Sequence, residues 1–180
     1  NYLLGYAAMQ QVNFTDKLDV VTAPAIELET SISNALAQRN EIKGANFAVE
    51  VHEILLDSLD AYSESSSIYM EEKIAFLSAQ KLVRDVPVQI EIDIRNKAAG
   101  LEDKRAALDA AKALQTYAEE GYRLVSISYD AGMCTLAELQ QAQGNAYKAG
   151  LGVSSAISEY DLAYYDFKYA QDVGTDRLSL

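Results

Sequence analysis

One face runs through the last third of this chain. From Leu139, steps of three and four residues land on Ala142, Ala146, Ala149, Val153, Ala156, Tyr160, Ala163, Phe167 and Ala170 without meeting a polar side chain. Such steps keep one side of a helix turned toward a partner helix, the pattern of knobs entering holes in a coiled coil. Ala142, Ala149, Ala156, Ala163 and Ala170 recur every seven residues, so half of the seam is small and lets a partner backbone come close. The predicted fold class is all-α, built from long antiparallel coiled-coil hairpins.

The partner is expected just upstream. Ala107, Ala111, Leu114, Ala118, Gly121 and Val125 repeat the alternation, and residues 129–135 separate the two stretches. Gly132 is suited to the left-handed conformation that ends a helix, and Thr135 with Glu138 forms a capping box that starts the next. A helix from Thr135 to Asp172 would be roughly 55 Å long at 1.5 Å per residue.

Composition supports this reading. Only 2 Pro and 9 Gly punctuate 180 residues, and 49% apolar with 23% charged content marks an ordered chain. A net charge of −12 with no dense basic run argues against nucleic-acid partners. The single cysteine, Cys134, has no internal disulfide partner. No stretch is long and apolar enough to be a membrane-spanning helix, and the first residues lack signal-peptide character.

In chain order, residues 1–12 read as the tail of a preceding helix and 13–30 as an extended connector containing Pro24. Thr30 or Ser31 is expected to cap a helical region spanning 31–174, with a break near Asn40 at the polar Gln38-Arg39-Asn40-Glu41 and a turn at Ser63–Ser67. Pro87 predicts a new start or a kink. Val88, Ile90, Ile92 and Ile94 alternate with polar residues, which on periodicity alone is a strand. Helix is nonetheless expected there, because the chain offers no second strand to pair with it. Val173-Gly174 predicts a helix stop, leaving 175–180 as a tail.

The turn Tyr129-Asp-Ala-Gly-Met-Cys-Thr-Leu-Ala-Glu-Leu139, the seam after it, Ile90–Asn96, Ser33–Glu41 and the connector stand in an order that resembles the TolC-like outer-membrane factors, the exit ducts of efflux pumps and type I secretion systems. The resemblance implies a TolC-like periplasmic helical domain in the cell envelope, with residues 1–12 ending a first repeat and 31–174 covering most of a second. Two departures accompany it. The family's paired membrane strands are replaced by Ser63–Ser67, so this segment is not expected to insert in a membrane, and the first repeat is almost wholly missing. The chain is therefore expected to be a fragment or a barrel-less relative.

Carried over by position, Ala131, Gly132, Met133, Thr135 and Leu136 would form the tip that meets a periplasmic adaptor protein, and Glu138 would face a pore constriction. A trimeric homo-oligomer is the assembly the family implies. Each residue also has a plainer role: Gly132 and Thr135 as caps, Glu138 as the other half of the capping box, with Gln141 where the family's second acid stands. His52, the only histidine, has no catalytic or metal-ligand companions in sequence, and Cys134 has no nearby cation to activate it. Tyr160 and Tyr164 are expected to be packing residues. No cofactor site or catalytic centre can be composed from these residues, so the expectation is not an enzyme but a duct component or, alternatively, a freestanding coiled-coil scaffold.

Overall fold

A computed structural model describes residues 19–21 and 26–172. Within them the chain is all-helical: α1 (Leu28–Gln38), α2 (Asn40–Ser58), α3 (Ser67–Asp130) and α4 (Leu136–Ala170). At 64 residues α3 is roughly 96 Å long, and every other helix packs on it. A turn at 59–66 folds α2 back along its first part, and a turn at 131–135 folds α4 back along its second. The molecule is thus two hairpins that share one helix and point their turns to opposite ends.

The α4 seam is formed as the spacing predicts. Every position from Leu139 to Ala170 in that seam is buried or half-buried, with Ala149, Tyr160, Phe167 and Ala170 the most enclosed. Tyr164 is half-buried against the same core. On the partner arm Ala111, Ala118, Gly121 and Val125 are half-buried as expected, and two positions need a correction of one residue. Ala107 and Leu114 are exposed, and the seam on α3 instead runs through Leu101, Leu108, Ala111, Gln115, Ala118, Tyr122 and Val125. Leu101 and Leu108 are the bulky residues available to fill the interface, and they fix the phase; Ala107 has too little to bury.

The alternating stretch around Ile92 is helix. Ile90 and Ile94, one turn apart, are buried at 3% and 0%, whereas Val88 and Ile92 face outward. Pro87 does not start a new helix: α3 passes through it, with Val86 and Ile90 on either side buried in the core. Tertiary packing there outweighs the loss of the hydrogen bond to the Val83 carbonyl.

The break near Asn40 falls at Arg39, and the Ser-rich turn lies where expected. The start of α1 differs. It begins at Leu28 after Glu27, three residues earlier than a Thr30 cap and four earlier than a Ser31 cap requires. Those hydroxyls act inside the first turn instead: Thr30 Oγ1 donates to the Glu27 carboxylate at 3.2 Å and Ser31 Oγ to the Glu27 carbonyl at 3.0 Å. The expected leading helix tail, most of the connector, the Val173-Gly174 stop and the C-terminal tail lie outside the described residues.

The core is concentrated in the middle of α3. Ile32, Ala35 and Ala45 from α1 and α2 meet Val86, Ile90, Ile94, Ala98, Leu101 and Leu108 of α3 and Tyr160, Phe167 and Ala170 of α4. Polar ties surround it, including Lys104 to Glu159 at 2.8 Å and Val21 N–H to Asp161 at 3.0 Å. Beyond Leu108 no residue of α3 is buried.

Candidate functional site

The turn between α3 and α4 is built by two complementary caps. Gly132 takes φ +73°, which an L side chain adopts only with strain, and this reverses the chain. Its N–H donates to the Tyr129 carbonyl at 2.9 Å while the Met133 N–H reaches the Ser128 carbonyl at 2.8 Å. This pair of bonds is the Schellman arrangement that closes a helix C-terminus. Two residues later the capping box opens α4. Thr135 Oγ1 accepts from the Glu138 N–H at 3.3 Å, and the Glu138 carboxylate accepts from the Thr135 N–H at 2.7 Å and its hydroxyl at 2.9 Å.

These caps leave an apolar tip in solvent. A Schellman turn commonly tucks its last hydrophobic residue against the preceding helix, but the facing position here is Ser128, and Met133 is 76% exposed. Leu136 is also exposed, as are Ala131, Gly132 and Thr135. The five expected tip residues therefore share one exposed end. Among the described residues nothing beyond its chain neighbours would crowd a side chain at Gly132, so its requirement is conformational.

Glu138 is at the same end, with its carboxylate turned back onto Thr135. The backbone and hydroxyl bonds from Thr135 hold its pKa below the ordinary glutamate value. Cys134 is half-buried and its thiol donates to the Val125 carbonyl at 3.4 Å. Burial first, and the Glu138 charge second, push its pKa up, the opposite of what a reactive thiol needs.

Between the arms behind the tip lies an open groove of about 540 Å³. Ala111, Ala118, Gly121, Ala142 and Gly152 line it, together with Tyr117 and Lys148. The small residues that let the helices approach also leave this space unfilled.

Two polar clusters were not legible as such in the sequence. His52 Nδ1 meets the Glu72 carboxylate at 2.5 Å and ties α2 to α3. Arg39 is 6% exposed and bridges Glu41 and Asp93. Its place between Ala35 and Ile42 in heptad spacing was the available signal. Among the described residues, no group of three or more His, Cys, Asp or Glu is arranged to hold a metal ion, and no helix is long and apolar enough to cross a membrane.

No protein-family model matches this chain, and no curated protein matches it.

Proposed function

We propose that this chain is a structural component of a TolC-like efflux or secretion duct, working through the α3–α4 hairpin, whose tip contacts a periplasmic adaptor protein. The observation that carries this reading is the tip itself. Two caps fix the turn, and Met133 and Leu136 stand in solvent at the end of a rod where a folded monomer has no use for them. Work of this kind needs shape and an apolar contact, with no chemistry. Glu138 contributes by holding the start of α4; a charge-gating role would require its carboxylate to leave Thr135.

A freestanding coiled-coil scaffold is the second reading. It is favoured by exposed apolar residues that continue along the outer faces, such as Tyr147, Leu151, Leu162, Tyr165 and Tyr169 on α4. These suit lateral contacts with other helices as well as a duct wall.

A photoreactive side chain placed at Met133, and separately at Leu151, distinguishes the two in cells that make the protein. The duct reading expects cross-links at Met133 to the hairpin of an adaptor, identified by mass spectrometry. Replacing Gly132 by Val should abolish them with helical content nearly unchanged. Cross-links from Leu151 alone would move the assignment to a scaffold.

A further inference from the structure

The break between α1 and α2 falls in the polar run Gln38–Glu41 but has no helix-breaking residue to account for it. From Leu28 to Lys43 the chain contains neither Gly nor Pro, and Ala35-Leu36-Ala37-Gln38-Arg39 is composed of good helix formers. Neither end of the break is capped by a side chain. Yet Arg39 alone adopts an extended conformation, φ −62° and ψ 136°, and both helices stop against it.

The non-exposed positions also run through the break in phase. Leu28, Ile32, Ala35, Arg39, Ile42, Ala45, Val49, His52 and Leu56 follow one another by steps of three and four, and none is exposed. An uninterrupted helix over residues 28–58 would present this same stripe, with one charged residue in the middle of it. That residue is the one at which the helix stops.

Tertiary contacts supply what the local sequence does not. The Arg39 guanidinium donates to Asp93 on α3 at 2.6 Å and, through Nε, to Glu41 at 3.1 Å. Lys97 stands 3.9 Å from the other Asp93 oxygen. The second Glu41 oxygen is buried without a hydrogen-bond partner, so the cluster holds an unsatisfied acceptor.

We propose that Arg39 is a conformational latch: the ion pairs of its buried side chain with Asp93 and Glu41 hold residues 28–58 as two helices, and releasing them lets the segment join into one. In the joined state α1 continues the axis of α2, the amides of Asn40, Glu41 and Ile42 gain the carbonyls of Leu36, Ala37 and Gln38, and the seating of Ile32 and Ala35 on α3 is remade. The two arrangements of one sequence make a two-state element, biased by a single charged cluster.

The test uses the full chain with Arg39→Leu, which completes the apolar stripe. Hydrogen exchange at Asn40, Glu41 and Ile42 should slow by about tenfold or more, the reverse of what loss of structure does. Spin labels at Ser33→Cys and Glu53→Cys in a Cys134→Ser background should report a single narrow separation near about 30 Å, the length of a continuous helix over that span. Faster exchange at the three amides, unchanged exchange, or a broad distance distribution would each overturn the latch and leave Arg39 as ordinary packing. Should Arg39→Leu not fold, Asp93→Asn, which keeps the shape and removes the charge, is read by the same two outcomes.

Discussion

The middle of α3 and the arm beyond it are held by different means. From Val86 to Leu108, α1, α2 and the end of α4 surround the helix, and large side chains such as Ile90, Ile94 and Leu101 vanish from solvent. Beyond Leu108 only α4 packs along α3, the interface is made largely of alanine, glycine and half-buried tyrosine, and no further α3 residue is buried. The first region stabilises itself by apolar burial. The second is an extended arm with open surface on both sides. A rod that reaches outward to a partner needs a firm base and a thin end, and the distribution of bulky residues supplies both.

The largest difference is expected on truncating a bulky side chain in each region. Ile94 is fully enclosed, so Ile94→Ala should lower unfolding free energy by about 2–5 kcal/mol in urea titrations. Leu124 is half exposed on the arm, and Leu124→Ala should change stability by no more than about 0.5 kcal/mol. Equal costs would mean that the arm is as thickly packed as the base.

Enlarging small residues sharpens the same contrast. Ala98 is 8% exposed in the core, and Ala98→Leu should cost about 1–3 kcal/mol by overpacking. Ala118 borders the open groove, where an added isobutyl group has room, so Ala118→Leu should cost well under about 1 kcal/mol. The pair of denaturation midpoints checks the claim, and a larger loss at Ala118 would overturn it.

The contrast also governs how much of the molecule could be read in advance. The α4 seam was legible because its apolar positions are uninterrupted for the whole helix. Its partner was legible at Ala111, Ala118, Gly121 and Val125 but one residue off at Ala107 and Leu114, because the seam passes through Gln115, and because Lys104 and Arg105 separate Leu101 from Leu108. Alanines on two adjacent faces then made the wrong phase look equally apolar. The caps at Gly132, Thr135 and Glu138 were legible because each acts within four residues. The Arg39 cluster was not, since Asp93 lies 54 positions away and nothing local marks the pair. Nor did spacing distinguish apolar residues that pack, such as Ile32, from those left outside, such as Phe47 and Ile54. Helical periodicity says that a face exists, while neighbours decide whether it is covered.

At the tip, effects are smaller and local. Thr135→Ala removes the side chain that receives the Glu138 N–H and should cost about 1 kcal/mol. Exchange should quicken at Ala137, Glu138 and Leu139, with the amides around Ile94 unchanged. Acceleration at both places would show that base and arm unfold as one unit, which the sparse packing of the arm argues against.

The smallest effect belongs to the charge on Glu138. Its carboxylate is fully ionised near neutrality and held by Thr135, and its folded pKa is below the ordinary value. The stabilisation is therefore present above the unfolded glutamate pKa of about 4.3 and is lost as pH falls through the lower folded value. Glu138→Gln keeps the capping-box shape and removes that titration. The variant should be slightly less stable than the parent at neutral pH, with the gap closing on acidification, when exchange of the first α4 amides is followed from pH 7 downward. Glu41 shifts in the same direction: burial pushes its pKa up, but the Arg39 hydrogen bond, a backbone hydrogen bond and the Arg39 charge together bring it below the ordinary value, so the base has its own acid-sensitive loss. Following the α4 amides instead of global unfolding separates the two. A gap that stayed constant into acid would mean that Glu138 serves the tip through shape alone.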